Sequence, residues 1–230
     1  MPSKSEKFAQ FKQFKNSFSY LYTDYLIENR NFNLYRKWHT QYFHNPYPIV
    51  IEIGCGRGEY TTRLAEKYPK KNFIGIDFKS NRMWKGAKYA LDKQLSNVAF
   101  LRTRVEFLHK VFSPNEVDEI WITFPDPQVQ KSREKKRLTH PSFLIIYKQF
   151  LKPNGWIHLK TDNDIFFNYT LEVLKTWKIK PYLCTFDLYN ETSHPHLEEV
   201  KSIQTYYEQL FLEQGCSIKY CMFQINNVCE

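Results

Sequence analysis

One turn constrains this chain more than any other feature. Ile49-Val50-Ile51-Glu52-Ile53 is a short apolar run rich in β-branched residues, and Gly54, Gly56 and Gly58 follow it at alternate positions. The whole chain has only seven glycines, so three within five residues mark a place where the backbone must turn sharply and stay open to a ligand. A helical pattern follows from about Glu59 to Tyr68, closed by Pro69. Strand, glycine turn and helix in that order form the cofactor cradle of many α/β proteins.

The rest of the chain continues the alternation. Asn72 to Asp77, Val98 to Leu101, Asp118 to Phe124 and Trp156 to Lys160 read as strands, with helices predicted from Ser80 to about Gln94, Pro141 to Leu151 and Asp164 to Trp177. Ser80 is placed as a helix cap. Tyr182 to Leu188 and Lys219 to Ile225 read as two later strands. Alternating elements imply parallel βαβ units in an open twisted sheet, with ligands beyond the C-terminal strand ends. Glu52, Asp77, Asp126, Thr161 and Asp162 all fall at those ends. Residues 1–46 are polar, basic and aromatic, and read as a loosely attached extension ahead of a domain spanning 47–230.

The spacing of the turn bears on the cofactor. A dinucleotide fingerprint is G-x-G-x-x-G, whereas here the third glycine comes one position early and a carboxylate, Glu52, precedes the loop. A carboxylate there repels a pyrophosphate and suits a cation such as the sulfonium and ammonium of S-adenosylmethionine. Asp77 can accept hydrogen bonds from ribose hydroxyls with either cofactor, so it does not discriminate.

Charge bears on the partner. The net charge is +9, which suits a polyanion, and the run Lys131-Ser132-Arg133-Glu134-Lys135-Lys136-Arg137 concentrates five positive residues against one negative. The run directly follows Phe124-Pro125-Asp126-Pro127. No stretch approaches a membrane span, and the N-terminus lacks an apolar signal-peptide core. Five scattered cysteines without a C-x-x-C pair argue against a disulfide framework or a zinc site, and fit reduced thiols in a cytoplasmic protein.

On residues alone several assignments stay open. Asp126 between two prolines is either a turn aspartate or a group acting on substrate. Asp162 is either a helix cap or a ligand group. Thr205 and Glu208 have capping-box spacing, and on sequence that reading leads. A methyltransferase with another acceptor and a non-catalytic RNA-binding relative are the alternatives to an RNA-modifying enzyme.

Glu52-Ile-Gly-Cys-Gly-Arg-Gly58, Ile74-Gly-Ile-Asp77, Phe124-Pro-Asp-Pro127, Lys135-Lys-Arg-Leu138, Lys160-Thr-Asp162 and Thr205-Tyr-Tyr-Glu208 occur in one order across residues 48–226. In this the chain resembles the bacterial tRNA (guanine-N7-)-methyltransferase family. The resemblance implies a Rossmann-like class I methyltransferase fold: a mostly parallel sheet with an antiparallel C-terminal strand. It implies S-adenosylmethionine as donor, tRNA as partner, no metal, and as acceptor N7 of a guanine in the variable loop, position 46 in standard tRNA numbering. It places Glu52, Gly54, Gly56, Gly58, Asp77, Arg104 and Asp126 at the cofactor, with Asp126 also the catalytic candidate. Gln130, Asp162, Thr205, Tyr206, Tyr207 and Glu208 fall on the guanine side, and Ser132 to Arg137 on the RNA-contacting stretch. The chain departs from the family pattern at three of its positions. Arg104 stands where an acid is usual, Gln128 where Trp is usual, and Gln130 where Lys is usual. A cation cannot accept the adenine amino group's hydrogen bonds, so Glu106 or a backbone carbonyl is expected to do so instead of Arg104.

Overall fold

The computed structural model describes residues 2–28 and 30–225. Its helices are α1 Lys4–Gln13, α2 Tyr22–Glu28, α3 Glu59–Lys67, α4 Ser80–Asp92, α5 Leu108–Val111, α6 Pro141–Lys148, α7 Asp164–Thr176, α8 Pro195–Lys201 and α9 Tyr206–Glu213. Its strands are β1 Ser17–Ser19, β2 Ile49–Ile53, β3 Asn72–Asp77, β4 Val98–Arg102, β5 Val117–Thr123, β6 Leu151–Thr161, β7 Leu183–Thr185 and β8 Lys219–Phe223. They form one sheet in the order β1-β4-β3-β2-β5-β6-β8-β7. Every pairing from β1 to β6 is parallel, and β8 runs antiparallel to both β6 and β7.

The hydrophobic pattern explains the layers. All five residues of β2 are buried, as in a strand covered on both faces. One face carries a core of Ile51, Ile53, Ile74, Ile76, Ile120 and Ile122 under Phe and Tyr side chains of α6 and α7. The other face packs Val50, Phe73, Phe100 and Trp121 under α3, α4 and α8. From β2 the chain winds outward through β3 and β4, then returns to the other side of β2 as β5 and β6. The strand order therefore reverses between β2 and β5, and the crevice past their C-terminal ends is the place for a ligand.

The N-terminal segment corrects one expectation. It is not loosely attached. β1 pairs with β4 from Ser17↔Phe100 to Ser19↔Arg102 and extends the sheet. Asn16 donates to the Ala87 carbonyl at 3.0 Å, and the Tyr42 hydroxyl to that of Val98 at 2.7 Å. Phe11 is 1% exposed and Trp38 is fully buried. Burying such side chains contributes about 1.5–3 kcal/mol each, so these aromatics hold the segment down. Among the described residues, no helix is long and apolar enough to cross a membrane.

Candidate active site

The site is assembled from the ends of β2, β3 and β5. After β2 the chain turns through Gly54 and Gly56, both at positive φ (79° and 53°), a conformation that costs a side-chain-bearing residue. Gly58 is needed for a second reason. A Cβ there would stand 2.5 Å from the Phe100 ring and 3.2 Å from Gly86, so the first turn of α3 lies tight on β4 and α4.

Two carboxylates brace the turn. Asp77 accepts from the Gly56 amide at 3.0 Å with one oxygen and from the Lys79 amide at 2.8 Å with the other. Glu52 lies beneath, 4% exposed. One of its oxygens accepts from the amide (2.9 Å) and hydroxyl of Thr61, and the other from the Thr123 hydroxyl. Burial outweighs these bonds and pushes the Glu52 carboxyl up to about 7. The sequence reading missed Thr61 and Thr123. The signal for them is slight: a threonine three residues past the last glycine, and one at the end of the neighbouring strand.

Past β5, Phe124 and Gln128 take positive φ (47° and 46°). Such backbone is uncommon for large side chains and costs about 1–3 kcal/mol per residue. The strained pair brackets Pro125-Asp126-Pro127. Asp126 is exposed, and one of its oxygens accepts from the Gln128 amide at 3.2 Å. Among the described residues its other oxygen has no partner. The turn-aspartate role is real, yet it uses only half of the carboxylate.

Two adjoining cavities meet over this loop. One, of about 470 Å³, is lined by Asp77, Phe78, Thr103, Arg104, Glu106 and Leu138 among others. The other, of about 310 Å³, is lined by Glu52, Gly56, Tyr60, Asp126, Thr205 and Tyr207 among others. Gly54, Asp77, Lys136 and Leu138 line both, so the two form one elongated crevice. Arg82, unremarked in the sequence, also reaches the second cavity. Arg104 lies at the first and pairs with Glu106 at 2.9 Å.

The structure does not bring every expected residue to the crevice. Gln130, Asp162, Tyr206 and Glu208 do not line either cavity. Asp162 is not the cap of α7, because the Asn163 side chain fills that role. Burial raises the Asp162 carboxyl above its usual range. Thr205 and Glu208 do form the capping box of α9. Glu208 is fully buried, taking the Lys160 ammonium at 2.6 Å and the Tyr189 hydroxyl at 2.7 Å. It fixes the start of α9 and leaves Thr205 and Tyr207 to face the crevice.

The basic run forms a 3-10 turn, Lys131–Lys136, with Lys131, Ser132, Arg133, Lys135 and Lys136 exposed and Glu134 half-buried. Arg137 departs from the expected RNA-facing set. It is 4% exposed and points back into the protein, donating to the Gln128 carbonyl.

The crevice has the length and polarity for an adenosyl group carrying a short charged tail: the Asp77 carboxylate at its middle, an open glycine turn alongside, and the Glu52 carboxylate in the second cavity. A family model described as "Putative methyltransferase" matches residues 46–221. The tRNA (guanine-N(7)-)-methyltransferase of Bacteroides thetaiotaomicron is 44% identical over 97% of this chain and 86% of its own length. That of Christiangramia forsetii is 50% identical over 84% of this chain and 86% of its own. Among solved structures, the 16S rRNA methyltransferase KamB superposes with a TM-score of 0.62 at 14% identity, covering 83% of this chain and 93% of that one, which shows a shared fold. The chain belongs to the tRNA (guanine-N(7)-)-methyltransferase family, and S-adenosylmethionine is its methyl donor.

Proposed function

We propose that this protein methylates N7 of the guanine at position 46 in the variable loop of tRNA, in the cytoplasm, with Asp126 at the reacting end of the crevice. The observation that carries this reading is the continuity of the crevice. The glycine turn, Asp126 and Lys136 of the basic turn all line its second cavity. A donor and a base presented on a phosphate backbone can therefore meet at one place.

S-adenosylmethionine supplies an electrophilic methyl on a cationic sulfur. Guanine N7 has an in-plane lone pair and no proton, so no general base is required. The chain's part is then alignment and electrostatics. Asp77 holds the ribose, and Thr103 to Glu106 surround the adenine, with Glu106 rather than Arg104 accepting from its amino group. Asp126, Thr205 and Tyr207 hold the guanine. Asp162 follows β6, the strand paired with β5, and is the remaining candidate for the guanine side. Transfer of label from the donor to unmodified tRNA, followed by fragment mapping of the 7-methylguanosine, tests the whole reading. Label at another base, or none, overturns it.

Glu52 gives a pH test of the donor's orientation. Its carboxyl is held at about 7, against 4.5 ordinarily. Between those values the folded protein keeps a proton that the unfolded chain has lost, so the stability present below 4.5 declines as pH rises through about 7. A sulfonium beside Glu52 favours the ionised form. Binding of S-adenosylmethionine is therefore expected to tighten as pH rises through 7, more than binding of its demethylated product, which keeps the ammonium and carboxylate but whose sulfur is a neutral thioether. Parallel pH profiles in calorimetry would place the sulfonium elsewhere. Asp77→Ala is expected to weaken both ligands alike.

The outward part of the basic turn gives a second test. Lys131 and Arg133 are exposed and line neither cavity. Replacing both by serine is expected to weaken tRNA binding and to flatten its log–log salt dependence by about 0.7–0.9 for each phosphate interaction removed. An unchanged slope would remove these two from the RNA path.

A further inference from the structure

Arg137 lies within the basic run but does not share its surroundings. Its side chain is 5% exposed, against the exposed Lys135 and Lys136 beside it. A guanidinium withdrawn from water needs partners, and this one has three. Nε and one terminal nitrogen donate to the main-chain carbonyl of Gln128 at 3.3 and 3.2 Å. The Tyr169 ring lies 4.4 Å from its central carbon, and the Glu134 carboxylate 3.9 Å from its other terminal nitrogen.

The identity of the acceptor gives this grip its consequence. Gln128 holds positive φ, and its amide is the group that anchors Asp126 at 3.2 Å. One peptide segment thus links two bonds. Arg137 grips the carbonyl of Gln128, and the amide of Gln128 grips Asp126. The same grip ties residue 137 back to residue 128 and closes the basic turn into a loop, with Lys131, Arg133, Lys135 and Lys136 on its outside. Loops held in strained backbone persist only where the surroundings over-determine them. Tyr169 on α7 and the buried guanidinium provide that here.

We infer that Arg137 is a positioning residue for methyl transfer: it clasps the Gln128 carbonyl, holds the Phe124–Gln128 loop in its strained form and so sets Asp126, and it does not contact RNA. The inference rests on the proposed role of Asp126. It adds a reason why one cation of a basic run should behave unlike its neighbours. A misplaced reacting group can cost about 10²-fold in rate, whereas removing a phosphate-binding cation lowers affinity and salt dependence.

The experiment is single-turnover methylation at saturating tRNA and donor, with tRNA binding measured at several salt concentrations. Arg137→Ala is expected to lower the transfer rate by about tenfold or more while keeping tRNA affinity and its salt slope. Added guanidinium ion is expected to restore much of that rate by refilling the clasp. Arg137→Lys keeps the charge but loses the paired N–H donors, and is expected to fall between parent and alanine variant. It also serves as the working variant if Arg137→Ala does not fold. A full transfer rate in Arg137→Lys and Arg137→Ala overturns the inference. So does a salt slope flattened by about 0.7–0.9, the mark of a cation that binds phosphate. So does a slowed Arg137→Ala that guanidinium leaves slow. Two controls separate this from the underlying reading. No methylation by the unaltered protein defeats the proposed function. Full-rate methylation by Asp126→Ala defeats the role of Asp126.

Discussion

Asp126→Ala is expected to cut single-turnover methyl transfer by about 10²–10³-fold, the usual cost of one well-placed electrostatic group, and to leave tRNA affinity nearly unchanged. During transfer, positive charge moves from sulfur into the purine ring. A carboxylate beside the ring favours that movement, and it can accept from the guanine N1–H and 2-amino group. The geometry supports both roles. One oxygen of Asp126 is fixed by the Gln128 amide, and the other has no partner among the described residues. The flanking prolines and the positive φ of Phe124 and Gln128 leave the loop little freedom. Asp126→Asn separates the effects. It can still accept from the Gln128 amide, so the loop should keep its shape, but it carries no charge. A slow Asp126→Asn with normal tRNA binding would assign the rate to charge. Asp126→Ala at the parent rate would remove the residue from the reaction.

The central sheet was legible because its signals are local. β2, β3 and β5 are apolar runs ended by an acid, a glycine turn or a proline, and they fall where expected. The N-terminal segment was not legible. Its strand, Ser17-Phe18-Ser19, is three residues long, too short for polar–apolar alternation to stand out from a coil. The aromatics that bury it, Phe11 and Trp38, lie among lysines and other polar residues, and only the partner β4 and helix α4 reveal their inward face. Ser80 shows a similar limit. It has the chemistry of a cap, yet it is the first residue of α4, its hydroxyl is buried without a partner among the described residues, and Asp77 receives the Lys79 amide instead. In the crevice, the residue types were readable but their directions were not. Arg137 and Lys136 are adjacent in sequence; one turns inward to Gln128 and the other lines the crevice. Nothing in a run of cations distinguishes them before the turn is formed.

Lys160→Met is expected to lower the melting temperature by about 10 °C or more, from about 3–5 kcal/mol lost when one partner of a buried ion pair is removed. Lys160 and Glu208 are both fully buried at 2.6 Å. All three ammonium protons are used, two of them on the Val200 and Ile203 carbonyls at 3.1 Å. Lys160 thereby ties β6 to the end of α8, to the link that follows it and to α9. Removing Lys160 leaves a carboxylate in the interior, which must take up a proton or disrupt its surroundings. Glu208→Gln is gentler, since burial already pushes the Lys160 amine down and the change removes the carboxylate that opposes it. Between its lowered folded value and the ordinary lysine value, the folded protein then holds a neutral amine where the unfolded chain holds a charged one. Stability of Glu208→Gln should therefore rise with pH toward the ordinary lysine range. Replacing both, Lys160→Met with Glu208→Leu, should recover much of the loss, because neither charge is left unpaired. The double variant also decides what Glu208 does. If it is stable and still methylates tRNA, Glu208 is a brace for Thr205 and Tyr207 and not a guanine ligand. If it is stable and inactive with donor binding intact, the carboxylate reaches the base after all. Melting of either single variant at the parent temperature would mean the pair does not hold α9 in place.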